Sequence, residues 1–152
     1  MEITIRPIGW VRGGRVEAVD DDWGDERCTI ELDGRFGPDA LVGLDAFSHV
    51  DVVYCFHQVA EDEVVQGARR PRGRAEWPEV GIFAQRGRVR PNRLGVTTCS
   101  VVEVVGTTVH VRCLDAIDGT PVLDLKPHMR GFAPRGVVVQ PVWADEIMAA
   151  YW

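Results

Sequence analysis

Apolar residues along this chain mostly recur at every second position or in short unbroken runs, which is the pattern of strands rather than helices. Ile3 to Val11 is rich in β-branched residues and closes on Gly13-Gly14. Cys28 to Leu32 alternates and ends at the Asp33-Gly34 turn signal. Val50 to Val59 is almost continuously apolar, which predicts a strand buried on both faces. Val80 to Ala84 predicts another short strand. Thr97 to Val105 and Thr107 to Leu114 form a predicted hairpin hinged near Gly106, with Val109, Val111 and Cys113 on its buried face and His110 and Arg112 outside. Helical signals are confined to a turn over Pro38 to Leu44 and a tail over Ala144 to Trp152. Short strands with scarcely any helix between them predict a mainly β fold, a small antiparallel β-barrel with short helices. No repeat or linker divides the chain, so residues 1–152 are expected to form a single domain.

One stretch breaks the pattern. Glu61 to Pro78 is polar, rich in Arg, Pro and Gly, and long for a connection, which marks it as a candidate lid over a ligand. It shares with its neighbour a cluster of arginines: Arg69, Arg70, Arg72 and Arg74, then Arg86, Arg88, Arg90 and Arg93. The net charge of −6 argues against a general nucleic-acid coat protein, yet this local basic surface suits a phosphate, a carboxylate or an RNA backbone. No apolar run reaches the roughly 20 residues of a membrane span, and the N-terminus lacks a signal-peptide pattern. A cytoplasmic protein with no membrane partner is expected. Cys28, Cys55, Cys99 and Cys113 are widely spaced and read as structural free thiols.

Standard catalytic signatures are absent: there is no G-x-S-x-G, Walker loop, H-E-x-x-H or G-x-G-x-x-G. The spacing of His49, His57, His110 and His128 matches no zinc pattern, so no metal site is predicted. Three dense segments combine rigid backbone with polar groups. They are Gly43-Leu44-Asp45-Ala46-Phe47-Ser48-His49-Val50, Val80 to Gly95 with its Arg90-Pro91-Asn92 turn, and Leu114 to Pro127. The last gathers Asp115, Asp118 and Asp124 near one strand–turn–strand corner, where carboxylates could hold a ribose, a cation or an amino group.

On these residues the chain resembles the TrmO/TsaA-like family, also called YaeB-like. GLDAFSHV, GIFAQR, RPNRLG and LDAIDGTPVLDLKP carry the resemblance, which extends over roughly Ile3 to Pro127. It implies a small β-barrel that binds S-adenosyl-L-methionine as a homodimer and methylates N6 of threonylcarbamoyl-modified adenosine beside the anticodon of tRNA. By the resemblance, His57, Gln58, Arg86, Leu94, Asp115, Ala116, Ile117 and Asp118 match cofactor-binding positions. Arg69, Arg70, Arg90, Asn92 and Lys126 are the candidates for holding the acceptor, and Asp124 or His128, or a backbone carbonyl, could act as a base. The chain departs from the family where the acidic stretch Val16 to Arg27 replaces a proline-rich loop. Gln85 stands for the usual threonine, and His128 for the tyrosine after Lys126-Pro127. These departures keep open a small-molecule acceptor, such as a nucleoside or metabolite, and a sensor that binds the cofactor without transfer.

Overall fold

The structure, a computed structural model, describes residues 1–152. Eight strands occur in chain order: β1 (Gly9–Arg12), β2 (Arg27–Leu32), β3 (His49–Cys55), β4 (Ala68–Arg69), β5 (Val80–Gly81), β6 (Leu94–Val105), β7 (Thr108–Arg112) and β8 (Pro121–Pro127). Six of them close into an antiparallel barrel in the order β1-β2-β7-β6-β3-β8, with β8 pairing back onto β1. β4 and β5 pair separately as a two-stranded ribbon. The predicted mainly β fold with a small barrel is therefore what the chain adopts. No helix is long and apolar enough to cross a membrane.

The barrel interior explains the alternation in sequence. Val11, Ile30, Val50, Val52, Tyr54, Cys99, Val109, Val111 and Val122 point inward and are almost completely buried. The hairpin prediction holds: Val105 faces Thr108 across a two-residue link, and Gly106 takes a positive φ of 58° that a tight turn needs. Residues Pro38–Leu41 and Leu44–Ala46 form 3-10 turns that set Leu41 against the core. The GLDAFSHV segment thereby lines a shallow apolar groove with Leu125 and Pro127.

Several expectations are corrected. The first strand spans only Gly9–Arg12, and Ile3 and Ile5 are exposed, because backbone pairing toward β2 and β8 reaches back only to Ile8, which bonds Val122 and Asp33. The apolar run from Val50 is buried on one face, not both. Val50, Val52 and Tyr54 point inward, whereas Asp51, Val53 and Cys55 are only half-buried on the outer wall. The strand also stops at Cys55, where the Phe56 amide donates to the Arg93 carbonyl instead of continuing the ladder. Val80 to Ala84 splits into β5 and a 3-10 turn, Ile82–Ala84. Cys113 has left the strand and lies at a positive φ of 64°. Glu61 to Pro78 is not structureless. It holds β4 and two 3-10 turns, and it buries Pro71 and Trp77. The tail helix, α1, runs Val142–Met148, so Ala150 to Trp152 are free to fold back.

All four cysteines are free. Burial pushes the Cys28 thiol up to about 12, with the nearby Glu26 carboxylate adding to the effect, and burial likewise raises Cys99. Native-state alkylation at pH 8 is expected to spare Cys28 and Cys99 and to modify both after unfolding, as read by mass spectrometry.

Packing is close across β3 and β6. Tyr54 faces Gly95, and a Cβ there would lie 2.4 Å from the Tyr54 ring. Gly95→Ala should therefore cost about 2–3 kcal/mol by overpacking. Gly34→Ala, in open space, should stay within about 0.5 kcal/mol of the wild type. Denaturant midpoints of the two variants test the contrast.

Candidate functional site

The corner between β7 and β8 collects most of the expected cofactor-binding residues. Asp115 accepts hydrogen bonds from three hydroxyls: Tyr54 at 3.0 Å and Thr97 both reach Oδ1, and Tyr151 reaches Oδ2. The Tyr54 hydroxyl also lies 3.2 Å from the Asp115 carbonyl oxygen. Ala116 and Ile117 follow in buried, extended backbone. Asp118 then accepts from the Gly13 amide at 2.9 Å, while its own amide donates to the Arg15 carbonyl at 2.7 Å. Gly119 turns at φ 78° and donates to the Val11 carbonyl. The Asp118 carboxylate is thus a clasp onto the end of β1, not a local turn cap.

Two sequence segments meet at this corner. His57 lies in the exposed turn after β3, and its Nε2 stands 3.9 Å from where a Gly119 Cβ would be. Gln58 is exposed beside it in the chain. A bulge helps to form the corner: between Val53 and Tyr54 the pairing with β8 skips Leu123, which bends the strand as it leaves the site. Leu94 opens β6 opposite Cys55, and Arg86 donates to the Val96 carbonyl at 2.6 Å on the same wall.

The arginines are largely braces. Arg70 donates to the carbonyls of Ala75 and Trp77, Arg88 to Ala18, Arg90 to Gln85, and Arg93 to Val59. Arg72 forms a two-armed pair with Asp21, with contacts of 2.7 and 3.1 Å. Arg74 lies over the Trp77 ring. None of Arg69, Arg70, Arg86, Arg88, Arg90 or Arg93 pairs with a carboxylate, so each keeps its charge uncompensated. The buried Nε of Arg69 has no partner. Asn92 owes its place in the Arg90-Pro91-Asn92 motif to backbone geometry: Asn92 and Arg93 both take positive φ, a conformation asparagine tolerates better than most residues. Gln85 is buried, and its amide bridges the Arg69 and Val80 carbonyls at 2.9 Å each, tying β4 to β5.

The candidate bases lie elsewhere. Asp124 pairs with Lys126 at 2.7 Å on the outer wall, and this bond raises the Lys126 pKa. His128 is just past the far end of β8, with Nδ1 3.1 Å from Asp51 Oδ1, an oxygen that also accepts from Thr98 at 2.6 Å. At about 3.3 Å per residue, roughly 26 Å of chain separates His128 from Thr120 at the corner. Within one copy the structure does not bring Asp124 or His128 to the Asp115–Gly119 corner.

Tyr54, Thr97 and Tyr151 are the site residues that sequence reasoning missed. Tyr54 and Thr97 sit in strand runs where a single polar atom leaves no periodic signal. Tyr151 belongs to the tail read as helical, and nothing in its local pattern marks it as turned in against its own chain.

The comparisons with known proteins fit this architecture. A family model, the tRNA-methyltransferase O N-terminal domain, matches residues 21–133. The chain belongs to the TrmO family. A protein of Methanothermobacter thermautotrophicus named "Probable S-adenosyl-L-methionine-binding protein" is 37% identical over 131 residues, which is 84% of this chain and 91% of that one. The tRNA (adenine(37)-N6)-methyltransferase of Escherichia coli is 39% identical over 97 residues, 60% of this chain and 40% of that enzyme. A crystal structure of TrmO from Pseudomonas aeruginosa superposes with a TM-score of 0.75 at 26% identity, covering 93% of this chain and 63% of that one. The chain thus spans nearly all of the archaeal relative and less than two thirds of the two bacterial TrmO proteins.

The hydroxyl network, together with the buried Cys28 and Cys99 thiols, ties the stability of the fold to alkaline pH. Burial, reinforced by the Asp115 charge, holds the Tyr54 and Tyr151 hydroxyls well above the usual tyrosine range. Their folded pKa values exceed the unfolded value near 10. The stability they contribute is complete below that value and is lost as pH rises above it. For Tyr54 the loss is about 1.4 kcal/mol per pH unit. Chemical denaturation from pH 8 to 11.5 should show stability falling in the wild type, and Tyr54→Phe should make the fall above about pH 10 shallower by about 1.4 kcal/mol per pH unit while costing about 1–3 kcal/mol at neutral pH.

Proposed function

We propose that the chain binds S-adenosyl-L-methionine at the Asp115–Gly119 corner and transfers its methyl group to N6 of threonylcarbamoyl-modified adenosine beside the anticodon of tRNA. One observation carries the placement of the cofactor. Asp115, Ala116 and Ile117 form a partly buried run whose amides donate to no protein acceptor, although covered backbone donors are almost always paired. A flat heterocycle with acceptor nitrogens fits that edge. His57 and the second oxygen of Asp118 flank it and suit the polar remainder of a nucleoside. The names of the archaeal and bacterial relatives support the same cofactor and reaction.

When bound, the cofactor supplies a methyl group already activated by its sulfonium. The protein's tasks are then to bind, orient and exclude water, which can account for much of the acceleration in such a displacement. The uncompensated guanidiniums around Arg69, Arg70, Arg86 and Arg90 attract the acceptor's phosphates or carboxylate. Asn92 holds the turn that sets Arg90 and Arg93. An attacking amine must lose a proton, and His128 is equipped to take it: Asp51 orients its Nδ1, leaving Nε2 for the acceptor. In this reading the protein acts as a homodimer in which a second copy brings its His128 end to this corner, and the separation along β8 within one copy supports that arrangement. Asp124 and Lys126 then lie on the wall shared with the acceptor. Action on tRNA places the protein in the cytoplasm.

Labelled methyl from S-adenosyl-L-methionine should enter bulk tRNA and not tRNA from cells lacking the threonylcarbamoyl modification. Label in neither pool, with cofactor binding confirmed by calorimetry, would instead assign a small-molecule acceptor or a sensor role. Arg86→Ala should reduce kcat/KM at least about 10-fold with an unchanged unfolding midpoint, matching the loss of one charge-assisted contact. Asp118→Asn keeps the acceptor for Gly13 and removes the charge; calorimetry should show cofactor affinity about 10-fold weaker.

A further inference from the structure

Beyond residue 133, where the family match ends, the chain returns to the corner. Three contacts fasten the C-terminal segment. The Trp77 indole donates to Glu146 at 2.6 Å, the Asp22 amide to the Ala150 carbonyl at 2.9 Å, and the Trp23 amide to the Tyr151 carbonyl at 2.8 Å. The fit is close enough that a Cβ on Gly24 would lie 2.6 Å from the Trp152 carbonyl carbon. The charges of Arg72, paired with Asp21, and of Arg86 act on the Tyr151 hydroxyl.

The tyrosine so placed meets the one Asp115 oxygen that no other group uses. Tyr54 and Thr97 share Oδ1, and Tyr151 alone engages Oδ2. This matters because the backbone here has little else to fix it. Between Leu114 and Ile117 the main-chain groups that have partners are the Asp115 carbonyl, bonded by Tyr54, and the Ile117 carbonyl, bonded by Thr120. No ladder supports the run, so its shape depends on how the Asp115 side chain is held. With Oδ2 released, the carboxylate could pivot about its Oδ1 contacts and carry the unpaired amides with it.

We infer that Tyr151 is a positioning residue: through Asp115 it fixes the Asp115–Ile117 main chain in the conformation that receives the cofactor, so the C-terminal segment is part of the binding site. The inference rests on the reading of this corner as the S-adenosyl-L-methionine site. The Tyr151 hydroxyl does not touch the cofactor. It removes the freedom of a carboxylate that would otherwise have to be ordered on binding, and such preorganisation appears as affinity.

Tyr151→Phe deletes only the hydroxyl, and Gly24→Ala displaces the chain end while leaving that hydroxyl intact. Calorimetry with S-adenosyl-L-methionine should show Kd about 10-fold weaker in both variants at unchanged stoichiometry. A merely structural role would lower the binding-competent fraction and leave Kd alone. Hydrogen exchange without ligand should be faster in both at Asp118 to Thr120, whose bonded amides adjoin the run. Unchanged Kd and exchange in both variants would overturn the role of Tyr151 while leaving the cofactor site standing. Tighter binding by Tyr151→Phe would overturn it too, by making the tyrosine a competitor for Asp115. A wild-type chain that takes up no S-adenosyl-L-methionine would sink the cofactor reading and this role with it.

Discussion

The site depends on one carboxylate at the end of the barrel. Asp115 leaves β7 just where the chain must turn back toward β8, and it meets hydroxyls from β3, β6 and the C-terminal segment. A carboxylate withdrawn from water is costly unless its oxygens are satisfied, so three remote parts of the chain are tied to one point. The tie works because Tyr54 can lie flat across β6, which Gly95 permits by having no side chain. A residue with a Cβ at position 95 would push the Tyr54 hydroxyl away from Thr97 and Asp115 together.

That anchorage gives the corner an unusual composition. Its side chains are engaged within the protein, while its backbone amides are left over. A stretch of main chain outside the ladder, held through the Asp115 side chain and carrying unpaired donors, is suited to a flat ligand read by its edge. Of the groups around it, exposed His57 is not needed to hold the fold closed, whereas half-buried Asp118 also clasps the end of β1 through Gly13.

The arginine-rich stretch does two jobs at once. Guanidiniums have several donors each, and one or two of these brace carbonyls of irregular backbone, at Ala75 and Gln85 within the stretch and at Ala18 and Val59 outside it. Lysine, with a single compact head group, would brace such loops less well. Because the braces are carbonyls and not carboxylates, the positive charge survives on the surface. A basic face therefore persists on a chain whose net charge is −6.

The strand pattern, the β6–β7 hairpin, the helical tail and the mainly β barrel were legible in sequence because each rests on local periodicity or turn chemistry. So were the segments that form the corner, since Asp-Gly-Thr-Pro and Arg-Pro-Asn dictate turns wherever they occur. Tertiary structure decided what those turns face. Only barrel closure shows that the run from Val50 has one inner face, because β6 and β8 flank it and leave its other side outward. Only the folded chain sets His57 beside Gly119, leaves His128 at the other end of β8, and brings Tyr151 onto Asp115 across 36 residues. Contacts between residues so far apart leave no mark on local pattern, since hydrophobic spacing records which face is buried and not which distant group meets it.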